Sequence, residues 1–92
     1  AEWIGILRMA KVVIYTTSLC PYCFMAKRLL KSKNVEFEEI DVSRDPQLRA
    51  EMRQKAGRHT VPQIFIDDEP VGGSDDIHLL EQQGKLDAML AA

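Results

Sequence analysis

The 92-residue sequence has few cysteines, little net charge and no long apolar run. Its two cysteines cannot provide the several disulfides that hold small secreted scaffolds together. The net charge of −2 gives no basic surface for nucleic acid, and no apolar run approaches the ~20 residues that span a bilayer. We therefore expect one small monomeric domain in a reducing compartment such as the cytoplasm, with neither nucleic acid nor membrane among its partners.

Residues 1–8 differ in character from the sequence that follows them. They precede Met9-Ala10-Lys11, which resembles a natural start, and they lack the basic and long apolar segments of a signal peptide. We expect residues 1–8 to be a non-native extension, added by cloning or by an upstream start. The domain itself is then expected over residues 9–92.

The two cysteines lie in the tetrapeptide Cys20-Pro21-Tyr22-Cys23, between an apolar run at residues 12–15 and a helical pattern. A Cys-x-x-Cys motif at such a junction indicates redox chemistry. The start of a helix offers unpaired N–H groups and positive potential, which favour the thiolate that attacks disulfides. We predict Cys20 at the N-cap as the exposed nucleophile with a lowered pKa, Pro21 as the helix start, and Cys23 as the resolving thiol.

Two other uses of the cysteine pair are less favoured. A structural zinc site needs about four ligands, and neither His59 nor His78 has a finger-like spacing from the cysteines. A structural disulfide across so short a loop would constrain the unfolded chain very little. We therefore expect a redox pair and no bound metal.

Hydrophobic periodicity and turn residues predict an α/β fold of order β-α-β-α-β-β-α. The first two strands are joined by a helix and should be parallel, whereas the last two form an antiparallel hairpin. The result is a mixed four-stranded sheet flanked by helices. The expected strands are 11–16, 35–42 at an edge, 61–66 and 69–72, and the expected helices are 21–33, 46–57, 74–82 and 85–91.

Three blocks of the sequence resemble a dithiol glutaredoxin of the thioredoxin-fold superfamily, and they keep that family's order and spacing. The resemblance covers Met9 to Ala92 and implies a thioredoxin-like fold. The matching residues are Tyr15-Thr16 with Cys20-Pro21-Tyr22-Cys23, Thr60-Val61-Pro62-Gln63-Ile64-Phe65-Ile66, and Gly72-Gly73-Ser74-Asp75-Asp76.

The second block implies one half of a glutathione site. By resemblance, Pro62 is cis and lies beside the cysteines, and the backbone of Val61 pairs with the cysteinyl unit of glutathione. Thr60 and Tyr22 wall the same groove, and Arg58 meets the glycine carboxylate. Many relatives also carry a lysine for that carboxylate where this chain has Thr17.

The third block implies the other half of the site, where the γ-glutamyl carboxylate binds at a helix start. Gly72 and Gly73 make a turn that lets the backbone approach a ligand closely, and Ser74 is the expected N-cap. The resemblance places Asp75 or Asp76 near the α-ammonium group of glutathione.

The resemblance implies a glutathione-dependent thiol-disulfide oxidoreductase. Its partners are glutathione as electron donor, disulfide-containing or glutathionylated proteins and, indirectly, glutathione reductase. Two alternatives remain: a dimer that carries an iron–sulfur cluster on two Cys20 thiolates and two glutathiones, and a thioredoxin-like reductant recharged by a flavoprotein. The rigid Pro21 argues against the first alternative, and the intact Gly72–Asp76 block argues against the second.

Overall fold

The computed structural model describes residues 10–91. The predicted element order is confirmed. The additional C-terminal helix predicted over 85–91 is also present, over Leu86–Ala91. The expected extension over residues 1–8 lies outside the described residues. In chain order the elements are β1 (Val12–Thr16), α1 (Pro21–Ser32), β2 (Glu38–Asp41), α2 (Pro46–Ala56), β3 (Gln63–Ile66), β4 (Glu69–Gly72), α3 (Ser74–Gln82) and α4 (Leu86–Ala91).

The strands form a four-stranded mixed sheet of order β2-β1-β3-β4. β1 runs parallel to β2, with Tyr15 opposite Ile40, and antiparallel to β3, with Ile14 opposite Ile64. β3 and β4 form the antiparallel hairpin. The expected thioredoxin-like topology, with β2 at an edge, is therefore confirmed.

Helices cover both faces of this sheet. Successive residues of a strand point to opposite faces, so each strand contributes side chains to both cores. Ile14 and Ile64 face a core shared with the helices α1, α3 and α4, to which Leu30, Ile77 and Leu86 contribute. Tyr15 and Phe65 face the opposite core under α2, with Val42 and Met52. Residues at the end of β1 are therefore fixed from both sides, which gives the loop before α1 a rigid base.

Local signals set most of the boundaries as predicted. Asp45 caps α2 by accepting hydrogen bonds from the N–H groups of Gln47 and Leu48 at 3.1 and 3.0 Å. α2 ends at Ala56 and is followed by the C-cap Gly57, which has the left-handed φ of 73° that suits glycine. Asp67 and Asp68, with φ of 52° and 67°, make the two-residue turn of the β3–β4 hairpin.

Three strands are shorter than predicted, and β1 differs by only one residue because it begins at Val12. β2 begins at Glu38, because Val35 and Phe37 pack against the core before the strand starts. β3 begins at Gln63, after Pro62, which has no N–H for the ladder. Among the helices of residues 10–91, none combines the length and apolar character needed to cross a membrane.

Candidate active site

The two cysteines occupy the first turn of α1. Cys20 is the N-cap, with extended φ and ψ of −132° and 105°, and Pro21 takes the first helical position. The backbone N–H of Cys23 donates a hydrogen bond to Cys20 Sγ at 3.2 Å, and both cysteines are free thiols. The predicted N-cap position of Cys20 is confirmed.

The expected exposure of Cys20 is wrong. Its exposed fraction is only 8%, compared with 2% for Cys23. The loop that precedes β3 lies over it, and the Cys20 thiol makes a weak hydrogen bond to the Val61 carbonyl oxygen at 3.9 Å. A disulfide must therefore approach Cys20 within a narrow opening beside Val61.

Cys23 faces the interior, and this position controls its protonation. Burial raises the pKa of the Cys23 thiol from 9.0 to about 12, and its hydrogen bond with Cys20 adds to the shift. The backbone N–H of Thr17 and the charge of Lys27 act in the opposite direction. Cys23 is therefore held as a neutral thiol at physiological pH.

Lys27 is fixed one helical turn after Cys23, on the same side of α1. Its ammonium group lies 3.0 Å from Glu39 Oε2, and the Thr16 hydroxyl donates to the same oxygen at 2.8 Å. The Thr16 hydrogen bond, followed by that from Lys27, holds the pKa of Glu39 below its usual value. The ion pair keeps a positive charge on the side of the helix that carries the Cys23 sulfur.

The loop of residues 60–62 forms the surface next to Cys20. The Val61–Pro62 peptide bond is cis, as the resemblance implied. The buried side chain of Gln63 donates from Nε2 to the carbonyl oxygen and the hydroxyl of Thr60, at 3.0 and 3.1 Å. This anchor holds Thr60 and the Val61 backbone at the edge of the opening.

The start of α3 lies against that loop and differs in detail from the prediction. Gly73, and not Ser74, is the N-cap, and its N–H donates to Asp76 Oδ2 at 2.8 Å. Ser74 is the first helical residue and is buried, with its hydroxyl 3.3 Å from His78 Nδ1. The expected N-cap role of Ser74 is wrong, because the Asp76 side chain already caps the helix.

The two glycines make room for groups of the protein itself. Gly72 has φ of +108°, and a Cβ there would overlap the Asp76 carboxylate. A Cβ on Gly73 would lie 3.2 Å from the Pro62 carbonyl oxygen. The observed conformation therefore requires glycine at position 72, and a Cβ at position 73 would make a tight contact with the loop.

Arg58 completes this cluster through an ion pair with Asp76. Its NH1 nitrogen lies 2.9 Å from Asp76 Oδ2. The Gly73 N–H, followed by the Arg58 guanidinium, holds the pKa of Asp76 below its usual value. Arg58 is thus tied to the start of α3, while Asp75 is exposed.

A groove of about 590 Å³ runs between the starts of α1 and α3, with the loop of residues 60–62 along it. It brings together all the residues predicted to contact glutathione, and Cys20 borders it through Val61. The residues that line it are Tyr22, Arg58, Thr60, Val61, Pro62, Gly73, Ser74, Asp75 and Asp76, together with Arg49 and His59.

Sequence reasoning missed Arg49 and His59 as groove residues. Arg49 is half-buried on α2, three residues before the fully buried Met52. This spacing places both on the same side of the helix, which was the available signal. Among residues 10–91, no group of three His, Cys, Asp or Glu side chains is arranged to hold a metal ion.

Comparison with known proteins supports the resemblance noted in the sequence. The family model described as glutaredoxin matches residues 12–71, which is more than half of the chain. The chain belongs to the glutaredoxin family. A glutaredoxin from Pseudomonas aeruginosa is 58% identical over 84 residues, a match that covers 91% of this chain and 100% of that relative.

Solved structures of glutaredoxins share the fold. The solution structure of glutaredoxin from Brucella melitensis has 55% identity and a TM-score of 0.81, and the match covers 91% of each chain. The buckwheat glutaredoxin–glutathione complex has 26% identity and a TM-score of 0.81, covering 97% of this chain and 84% of that one. Membership of the glutaredoxin family makes this protein a thiol-disulfide oxidoreductase.

Proposed function

We propose that this glutaredoxin is a dithiol enzyme that uses glutathione to reduce protein disulfides and glutathione–protein mixed disulfides. The observation that carries the proposal is the groove beside Cys20, which contains all the residues expected to contact glutathione. The buckwheat relative was solved as a complex with glutathione and has the same fold.

The charges of the groove suit glutathione, which has two carboxylates and one ammonium group. Arg49 and Arg58 supply positive charge, and the backbone amides at the start of α3 can bind a carboxylate. Asp76 already accepts hydrogen bonds from Gly73 and Arg58. Asp75 is therefore the better partner for the ammonium group, and the Val61 backbone is left for the cysteinyl unit.

Glutathionylated proteins are reduced in two exchanges. The Cys20 thiolate attacks the glutathione sulfur, and the protein substrate leaves as a thiolate while Cys20 retains glutathione. A second glutathione thiolate then attacks that sulfur, which releases oxidised glutathione and regenerates Cys20. One incoming glutathione is consumed, the other half of the oxidised glutathione comes from the substrate, and glutathione reductase recycles this disulfide with two electrons from NADPH.

Protein disulfides require Cys23. Cys20 forms a mixed disulfide with the substrate, and Cys23 loses its proton and attacks the Cys20 sulfur. The reduced substrate leaves, and two glutathione molecules reduce the resulting Cys20–Cys23 disulfide. Glutaredoxins have potentials of about −200 to −230 mV, which suit a reducing compartment such as the cytoplasm. We propose that the protein works there as a monomer.

The first test measures reduction of a small glutathione mixed disulfide, coupled to glutathione reductase and NADPH. Wild type and Cys23→Ser should both turn over, and Cys20→Ser should not. If neither wild type nor Cys23→Ser is active although both are folded, the glutathione assignment is wrong, and cluster carriage or another reductant takes its place.

A second test concerns Asp75. Asp75→Asn should raise KM for glutathione by about tenfold, as expected for loss of one charge-assisted contact, with little change in stability. Glu51→Gln is the matched control, since it removes one negative charge from an exposed helical position outside the groove. Equal KM values for the two variants would contradict the role of Asp75.

A further inference from the structure

Large apolar side chains are exposed around Cys20. Leu19 is 93% exposed, Phe24 63% and Met25 49%. Only two other large apolar side chains are strongly exposed among residues 10–91, and one of them, Tyr22, lines the glutathione groove. Exposed apolar side chains concentrated in one short segment are typical of an interaction surface.

Packing of α1 does not explain these three side chains. The helix is buried through Cys23, Ala26 and Leu30. At 100° per residue, Phe24 and Met25 lie on the outward side of the same turns. Leu19 precedes the helix and is almost fully exposed. Their apolar character must therefore be explained by something other than the core.

We propose that Leu19, Phe24 and Met25 form a docking patch for the protein half of the substrate, selecting targets with apolar side chains beside the reactive cysteine. The inference rests on the proposed function and specifies its substrate class. The patch is continuous with the site of reaction, since Leu19 is bonded to Cys20 and Phe24 begins the next turn of the helix.

The two halves of a mixed disulfide need different surfaces. In the proposed function glutathione binds in the groove lined by Tyr22 and Thr60, so the other half of the substrate extends away from that groove. Phe24 and Met25 lie about 6 to 7.5 Å along the helix axis from Cys20. The side chains that flank a target cysteine can reach this distance.

The neighbouring charges make the patch selective. Arg28 is exposed on this helix, and Lys27 Nζ, which is paired with Glu39, lies 5.0 Å from the centre of the Phe24 ring. A target with positive charges next to its cysteine would be repelled. The patch thus fits an apolar segment without flanking lysine or arginine. Met25 adds a flexible side chain that adapts to different apolar partners.

The test uses two glutathionylated peptides that differ only at the residues flanking cysteine, which are Leu and Phe in one and Ser in the other. The kcat/KM values are compared within each protein, so a general loss of activity cancels. Wild type should prefer the apolar peptide by about tenfold, as expected for partial burial of a few apolar side chains. The Leu19→Ser/Phe24→Ser/Met25→Ser variant should reduce this preference to about twofold or less.

Leu79→Ser is the matched control. Leu79 is a similarly exposed apolar residue, at 51%, on α3 and outside the groove. This variant should keep the wild-type preference. Equal kcat/KM for the two peptides in wild type would overturn the proposal, as would a triple variant that keeps the preference.

Two further measurements distinguish the docking role from loss of glutathione use and from self-association. Turnover of a small glutathione mixed disulfide by wild type tests the proposed function alone. If this turnover is normal but the peptide preference is absent, only the docking role is wrong. Sedimentation of wild type and the triple variant tests self-association. A wild-type dimer that becomes monomeric in the triple variant would assign the patch to a second copy and overturn the docking role.

Discussion

The buried Cys23 thiol should resist ionisation and alkylation well beyond neutral pH. In Cys20→Ser, Cys23 is the only remaining thiol, and burial, the largest cause of its raised pKa, is retained. The shift from 9.0 to about 12 corresponds to a roughly thousandfold smaller thiolate fraction at neutral pH. Iodoacetamide should therefore modify Cys23 at least about a hundredfold more slowly than it modifies the same thiol in urea.

The pH dependence separates protonation from simple steric protection. In the folded variant the alkylation rate should continue to rise about tenfold per pH unit above pH 9, because the thiolate fraction is still growing. In urea the rate should level off near the ordinary pKa of 9.0. Mass spectrometry of the modified peptide gives both rates, and circular dichroism confirms folding at each pH. A folded-state rate that levels off near pH 9 would refute the raised pKa.

The same shift predicts a loss of stability in alkali. The folded protein holds the Cys23 proton more tightly than the unfolded chain, so the contribution is complete below about pH 9 and is lost between about pH 9 and pH 12. At about 1.4 kcal/mol per pH unit the full shift corresponds to on the order of 4 kcal/mol, and Cys20→Ser retains the part of it that comes from burial. Urea unfolding of Cys20→Ser and Cys20→Ser/Cys23→Ala isolates it, because other groups titrate equally in both. A constant difference in unfolding free energy across this range would contradict the prediction.

Other predictions concern the caps and the charge beside the thiols. Asp45→Ala removes both hydrogen bonds of the α2 cap and should lower the unfolding free energy by about 1 kcal/mol in urea titrations, and an unchanged midpoint would contradict the cap. Gly72→Ala should lower the unfolding free energy by more than about 1 kcal/mol, because the alanine Cβ would displace the Asp76 carboxylate. The same displacement should raise the pKa of Asp76, which NMR titration measures. Lys27→Gln should raise the pKa of Cys23 further, because the positive charge of Lys27 lowers it. Closure of the Cys20–Cys23 disulfide, followed on acid-quenched samples, should slow by up to about tenfold. Faster closure would contradict this role of Lys27.

The parts of the fold that sequence could predict depend on local signals. Cys20 and Asp45 each precede a proline at a helix start, and the Asp67-Asp68 pair separates two strands. Each signal acts through the backbone within a few residues, so a short stretch of sequence contains what is needed. The sheet order then follows from the connections between the elements.

The parts that could not be predicted depend on contacts between distant residues. Cys20 is buried because Val61, 41 residues later, covers its sulfur. Ser74 does not cap α3 because Asp76 does, and Asp76 is fixed there by Arg58 from the loop between α2 and β3. Arg49 reaches the groove only because α2 packs Met52 under the sheet. None of these placements is specified by spacing alone.

The difference between the two thiols arises from their separation of three residues on one helical turn. The N–H group that binds Cys20 Sγ belongs to Cys23, so the hydrogen bond at the helix start and the position of the second thiol have the same origin. One further inserted residue would rotate that thiol by about 100° around the helix, away from the interior. The two-step thiol–disulfide exchange needs a first thiol at the start of the helix. It also needs a second thiol that stays protonated until the mixed disulfide has formed. The Cys-x-x-Cys spacing supplies both only because the helix begins at Cys20 and packs through Cys23.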